Sequence, residues 1–190
     1  MNQNKQSSIR IISGILRGYK IPIKKNCRIR PTTNRMRETL FNWINKKIIN
    51  ANCLDCFSGS GALGIEAISR YASFVTFIEQ QKKIIYELKK IFIKLNQFNT
   101  EIIHANTIKW LKKIRKPYDI IFLDPPFRTK LLQNAIIQLE KYKYIKINSL
   151  IYIEKEKKSQ KLLIPNYWYL YKEKKTSNVS YQLYICQKNI

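Results

Sequence analysis

The sequence predicts an α/β protein: a mostly parallel, Rossmann-like sheet closed by a C-terminal antiparallel hairpin and preceded by a small basic N-terminal hairpin. Three observations carry that expectation. The apolar run Cys53-Leu54-Asp55-Cys56-Phe57 leads into Ser58-Gly59-Ser60-Gly61-Ala62-Leu63-Gly64, so three glycines at G-x-G-x-x-G spacing follow a buried strand and open a helix. Val75-Thr76-Phe77-Ile78-Glu79 is a second buried strand that ends on an acid, and Tyr118 to Leu123 is another that runs directly into Asp124-Pro125-Pro126-Phe127. Between them, apolar residues recur at helical spacing, giving the βαβα order that favours parallel pairing and right-handed crossovers.

Residues 1 to 8 read as a disordered polar lead. Ile9 to Ser13 and Arg17 to Ile21 read as two short strands around Gly14, followed by a basic loop from Lys24 to Pro31. Thr33 is a candidate N-cap for a helix reaching about Ile48, with Met36, Leu40, Ile44 and Ile48 on its inner side and Arg35, Glu38, Asn42 and Asn45 on the other. The first core unit is strand 52–57, helix 62–70, strand 74–79 and a helix over 80–96 that turns Ile84, Leu88, Ile91 and Leu95 inward. A third strand over 101–105 and a short helix over 107–114 follow. Pro117 ends that helix before strand 118–123. A helix over 131–142, a strand over 150–154 and a Tyr-rich hairpin over 167–172 and 180–186 complete the chain.

At 190 residues the chain suits one domain, with residues 9–50 as a basic extension and 51–190 as the core. It has no continuous apolar run long enough to span a bilayer and no apolar leader, so a cytoplasmic protein is expected. Its four cysteines, Cys27, Cys53, Cys56 and Cys186, are too few and scattered for a disulfide framework. Cys53 and Cys56 have the spacing of a metal or redox pair, but no second Cys or His pair lies near them, and both read as structural. His104, at a strand end, reads the same way.

A net charge of +24 implies a polyanionic partner. The lysine surplus is weak support, because the chain is also crowded with Ile, Asn and Tyr, as an AT-rich coding bias would produce. Arginine is more selective: Arg10, Arg17, Arg28, Arg30, Arg35 and Arg37 are six of the nine arginines, and all lie in the first forty residues. Clustered planar phosphate binders make that segment the expected nucleic-acid surface.

The glycine loop and Glu79 together suit an adenine-containing cofactor, with Glu79 accepting from ribose hydroxyls. A nicotinamide-dependent oxidoreductase would satisfy that much, but it leaves Asp-Pro-Pro-Phe unexplained. An exocyclic base amine attacking a methyl sulfonium needs acceptors for its N–H groups rather than a strong base. The Asp124 carboxylate and the Pro125 carbonyl supply two, the prolines stiffen the turn, and Phe127 offers a face for a flipped base. In-line methyl transfer of this kind draws its rate from positioning and requires no metal.

The ordered set Arg10-Ile11-Ile12-Ser13-Gly14, Arg17-Gly18, Arg30-Pro31-Thr32-Thr33, Arg37-Glu38, Leu40-Phe41-Asn42, the loop from Asp55 to Gly64, Glu79 and Asp124-Pro125-Pro126-Phe127 resembles the bacterial 16S rRNA guanine-966 N2-methyltransferases. The resemblance runs from Ile9 over nearly the whole chain. The glycine loop and Asp-Pro-Pro-Phe are shared by many amino-methyltransferases, so the N-terminal arginine motifs make it specific. It implies a seven-stranded class I methyltransferase, S-adenosylmethionine as donor, and 16S rRNA or the small ribosomal subunit as acceptor; separately, a monomer is expected. It assigns the donor to Asp55, Phe57, Ser58, Gly59, Ser60, Gly61, Glu79, Asn106 and Thr107, and catalysis to Asp124, Pro125, Pro126 and Phe127. Asn106 stands where the family usually has an acid that reads the adenine amine, and Ser58 where a small apolar residue is usual. Two further readings share the fold: an amino-methyltransferase for another base, such as adenine in DNA, and a non-catalytic RNA-binding assembly protein.

Overall fold

The computed structural model describes residues 8–22 and 33–187. The polar lead before Ser8 and the whole basic loop from Lys24 to Pro31, with Cys27, Arg28 and Arg30, lie outside the described residues. Strands β1 (Ser8–Arg10) and β2 (Lys20–Pro22) form the N-terminal hairpin, with Ile9 paired to Ile21. The helix α1 (Asn34–Trp43) follows, and then β3 (Asn52–Asp55), α2 (Ala62–Ser69), β4 (Phe74–Glu79), α3 (Lys82–Leu95), β5 (Thr100–His104), α4 (Thr107–Trp110), β6 (Tyr118–Leu123), α5 (Leu131–Lys141), β7 (Ile145–Glu156), β8 (Trp168–Lys175) and β9 (Val179–Cys186).

The main sheet has seven strands in the order β5-β4-β3-β6-β7-β9-β8. β5, β4, β3, β6 and β7 are parallel, while β9 runs antiparallel to both β7 and β8. The chain moves outward from β3 to β5 on one side, then returns to β6 on the other. The carboxyl ends of β3 and β6 therefore flank the crevice where open α/β sheets bind ligands.

Alternation along each strand builds two cores. Cys53, Val75, Phe77, Ile120, Phe122 and Tyr152 face one side under α1, α2, α3 and the hairpin. Leu54, Cys56, Ile78, Ile121, Leu123 and Ile153 face the other, under α5 and the Trp110 end of α4. Cys53 and Cys56 thus point to opposite faces, and burial pushes both thiols up from their ordinary range, as expected of structural cysteines.

Most strands match their expected spans within a residue or two. α1 is shorter than its pattern suggested: Thr33 caps it through Oγ1, 3.3 Å from the Met36 amide, but it ends at Ile44. Ile44 and Ile48 are still buried, delivered by the turns that follow. β7 is longer than the apolar stretch 150–154 at both ends: it starts at Ile145, which pairs with Tyr118 ahead of a register shift, and it ends through Lys155 and Glu156, which pair with β9 despite their polarity. Gly64 packs where a Cβ would lie 2.2 Å from the Phe77 ring, so it sets the distance between α2 and β4.

A buried polar hub ties the N-terminal hairpin to the core. Glu66 on α2 is fully buried and accepts from the Ile12 and Ser13 amides at 2.9 and 3.1 Å and from Arg70 Nε at 2.8 Å. Arg37 reaches the same carboxylate, with Nη1 3.7 Å from Oε2, an ion pair longer than a hydrogen bond. Its Nη2 donates to the Arg10 carbonyl at 2.7 Å and to Asn34 Oδ1 at 2.6 Å.

Candidate active site

Asp55 closes β3 as a buried carboxyl, and its Oδ2 accepts from the Gly64 amide at 3.1 Å, fixing the glycine loop across its own mouth. Ser58 Oγ donates to the Asp55 carbonyl at 3.0 Å, and the Gly61 amide donates to the Ser58 carbonyl at 2.7 Å. Glu79, at the end of β4, faces the loop: Oε2 accepts from Gly59 N at 3.1 Å and Oε1 from Gln81 N at 2.7 Å. These amides use two of the roughly four acceptor positions of a carboxylate and hold its plane fixed. The Thr107 hydroxyl donates to the Cys56 carbonyl at 2.6 Å, bringing the start of α4 against the same loop. His104 Nε2 lies 3.1 Å from the Gln80 carbonyl, bracing the turn after Glu79.

A cavity of about 380 Å³ opens at these carboxyl ends, within the range of small-molecule sites. One side is lined by Asp55, Phe57, Ser58, Gly59, Ser60, Glu79, Asn106 and Thr107, and the other by Asp124, Pro125, Pro126 and Phe127. Thus the sequence-nominated donor residues, all but one, share a single space with the nominated catalytic tetrapeptide. Pro125 is buried, Asp124 and Phe127 are half-buried, and Thr129 Oγ1 donates to the Pro126 carbonyl at 2.8 Å, closing the turn.

Three expectations need correction. Gly61 does not line the cavity: at φ +75° it is the left-handed turn into α2, and a Cβ there would lie 2.6 Å from Leu88, so its role is packing. Arg37, expected on the RNA surface, has its side chain fully buried against Glu66. The apolar stripe of α1 includes Phe41, one turn on from Arg37, so the helix turns both toward the core. Asn106 Oδ1 already accepts from the Lys109 amide at 3.1 Å as the N-cap of α4. Arg10, Arg17 and Arg35 are exposed.

The sequence reading missed several residues that line the cavity. Thr33 and Met36 come from the start of α1, Ile78 and Gln80 flank Glu79 in sequence, and Glu154 and Val179 come from β7 and β9. Glu154 is only 3% exposed, and its Oε1 accepts from the Tyr152 hydroxyl at 2.7 Å. A buried acid at the end of an apolar strand was the available signal, the same one that marks Glu79.

Two outcomes follow for a ligand bearing ribose hydroxyls and a cationic amine, which this donor set fits. Glu79→Ala should weaken its binding by about 1–3 kcal/mol through lost charge-assisted hydrogen bonds, measured by calorimetry. The Asp55 carboxyl is pushed up from 3.8 to about 7, mainly by burial with the Glu79 charge adding to it, against the lowering effect of the Gly64 amide. An acid whose folded value is raised keeps its proton through weak acid, and its ionisation costs stability as pH rises toward 7. A cationic ligand nearby favours the ionised form and expels that proton. Affinity should therefore rise with pH from about 5 to 7, with proton release seen in buffers of different ionisation enthalpy. Asp55→Asn should flatten both signals.

Comparison with known proteins places this site in context. The family model described as conserved hypothetical protein 95 matches residues 9–185. A protein of Buchnera aphidicola subsp. Baizongia pistaciae named ribosomal RNA small subunit methyltransferase D is 58% identical over 98% of this chain and 96% of its own. The Escherichia coli K12 protein of that name is 42% identical over 96% of this chain and 92% of its own. The solved structure of yhhF from Escherichia coli superposes with a TM-score of 0.89 at 41% identity, covering 95% of this chain and 99% of that one.

Proposed function

This chain belongs to the conserved hypothetical protein 95 family, together with proteins named ribosomal RNA small subunit methyltransferase D, and from that premise we propose that it methylates the exocyclic N2 amine of one guanine in small-subunit ribosomal RNA. The observation that carries the proposal is the shared cavity: Glu79 and Gly59 on one side, Asp124 and Pro125 on the other. S-adenosylmethionine, when bound, supplies an electrophilic methyl group. Glu79 would hold its ribose, Asp55 would favour its cationic amino-acid end, and Thr107 and Asn106 would border its adenine.

The protein's own contribution is orientation. An aromatic amine keeps its lone pair in the ring until its N–H groups are held out of plane. Asp124 and the Pro125 carbonyl accept those hydrogens, so the lone pair turns toward the methyl group, and Phe127 stacks on the extruded base. Asp124 already accepts an N–H and would take that proton up once the nitrogen is methylated. No metal is needed for any of these tasks.

The acceptor class is supported by the charge of +24 and by Arg10, Arg17 and Arg35 on the exterior of the N-terminal elements. Among the described residues no helix is long and apolar enough to cross a membrane, and a bacterial cytoplasm is the compartment that holds the substrate. Purified protein and labelled donor should be offered small-subunit particles, free small-subunit rRNA, large-subunit rRNA and duplex DNA. Label should enter small-subunit RNA at one guanine; preferential labelling of DNA or large-subunit RNA would overturn the proposal.

A further inference from the structure

We propose that Glu154 reads the target base, accepting N1–H of guanine and sharing the adjacent N2–H with the Pro125 carbonyl, while Asp124 accepts the other N2–H. The inference rests on the guanine-N2 reading above and assigns the specificity of that site to a residue outside its motif. β6 and β7 are adjacent parallel strands with Leu123 paired to Ile153, so Asp124 and Glu154 follow side by side at their carboxyl ends, about 4.8 Å apart in backbone. Both line the cavity, on the sheet face that carries Phe122 and Tyr152. Two carboxylates at that spacing can bracket a single amine.

The chemistry selects the base. A carboxylate presents two acceptor oxygens in one plane, and guanine is the common base whose Watson–Crick edge offers two adjacent donors, N1–H and N2–H. Adenine places an acceptor at N1, and cytosine places one at N3, beside the exocyclic amine. Glu154 is 3% exposed and fixed by the Tyr152 hydroxyl at 2.7 Å, so its plane is set before the base arrives. Burial, followed by the charges of Glu154 and Asp124, holds the Tyr152 phenol well above its usual range, so it remains a donor across working pH. A site built this way rejects a base that lacks the matching hydrogen.

The test uses the full-length enzyme and small-subunit RNA carrying either guanine or 2-aminopurine at the position that the wild type methylates. 2-Aminopurine keeps the N2 amine and lacks both N1–H and O6, so the contact with Glu154 is read from the change of preference between wild type and Glu154→Gln. Wild-type kcat/KM should favour guanine by roughly 10- to 100-fold. Glu154→Gln, which preserves volume, should lose activity on guanine and bring the guanine-to-aminopurine ratio to about one, while donor affinity is unchanged. Equal rates on both RNAs with wild type, or an undiminished ratio in Glu154→Gln, would overturn the assignment. Should Glu154→Gln fail to fold, Tyr152→Phe, which releases the Glu154 carboxylate from its 2.7 Å hydrogen bond, is read in its place and should narrow the same ratio. Nucleoside analysis of the wild-type product separates this from failure of the parent reading: a methyl group anywhere but guanine N2 removes both, whereas N2-methylguanosine formed without discrimination removes only the role of Glu154.

Discussion

Asp124→Ala should bind S-adenosylmethionine with wild-type affinity and lose single-turnover methyl transfer by about 10²- to 10³-fold, the scale of removing one preorganised hydrogen-bonding group from a reacting centre. The separation of effects follows from the cavity, because Asp124 lines the side opposite Glu79 and Gly59. On this proposal its contribution is directional: held at the end of β6 by the buried Pro125, it would accept an N–H that must leave the plane of the base only as the methyl group moves. Asp124→Asn should fall between wild type and Ala, since an amide oxygen still accepts but a competing donor stands beside it. Near-normal transfer in Asp124→Ala would remove the tetrapeptide from the mechanism.

Arg37→Ala should lower unfolding stability by about 3–5 kcal/mol, because it leaves the Arg10 carbonyl unpaired and strips one cation from a buried carboxylate. Arg70 Nε remains 2.8 Å from Glu66 and prevents a larger loss. Burial, with the Arg70 charge adding to it and Glu66 opposing, lowers the pKa of Arg37 from its ordinary value; an arginine guanidinium keeps its charge in proteins, so the site depends on its ion pair. Arg37→Lys should recover little, since one ammonium cannot meet Arg10, Asn34 and Glu66 at once. Urea titrations of the three proteins measure this. A loss below about 1 kcal/mol for Arg37→Ala would mean that the hub adds nothing beyond an exposed pair.

The contrast between these two residues shows what was legible in the sequence. Asp124 could be placed because its motif is contiguous and follows an apolar run that has only one plausible conformation. The parallel order and the loop from Asp55 to Gly64 were readable for the same reason: local pattern and topology agree there. Arg37 was misplaced because charge argued for the surface while helical phase argued for the core, and the deciding partner, Glu66, lies 29 positions away on a helix whose residues are all buried. Gly61 was assigned to the donor by motif spacing, yet the contact that decides its role comes from Leu88 on α3. Glu154 was passed over although it ends the apolar run 150–154 as Glu79 ends its own strand; what no local pattern reports is its place beside Asp124, which strand register sets. The shortened α1 has the same origin, since Ile44 and Ile48 reach the core through turns as well as a helix would.

The most direct test of the central claim is nucleoside analysis of small-subunit RNA after reaction with wild type and with Asp124→Ala, using methyl-labelled donor. The account predicts N2-methylguanosine at one position with wild type and almost none with the variant, at equal donor occupancy. Label recovered as a methylated adenine or cytosine, or N2-methylguanosine at similar levels with both proteins, would contradict it.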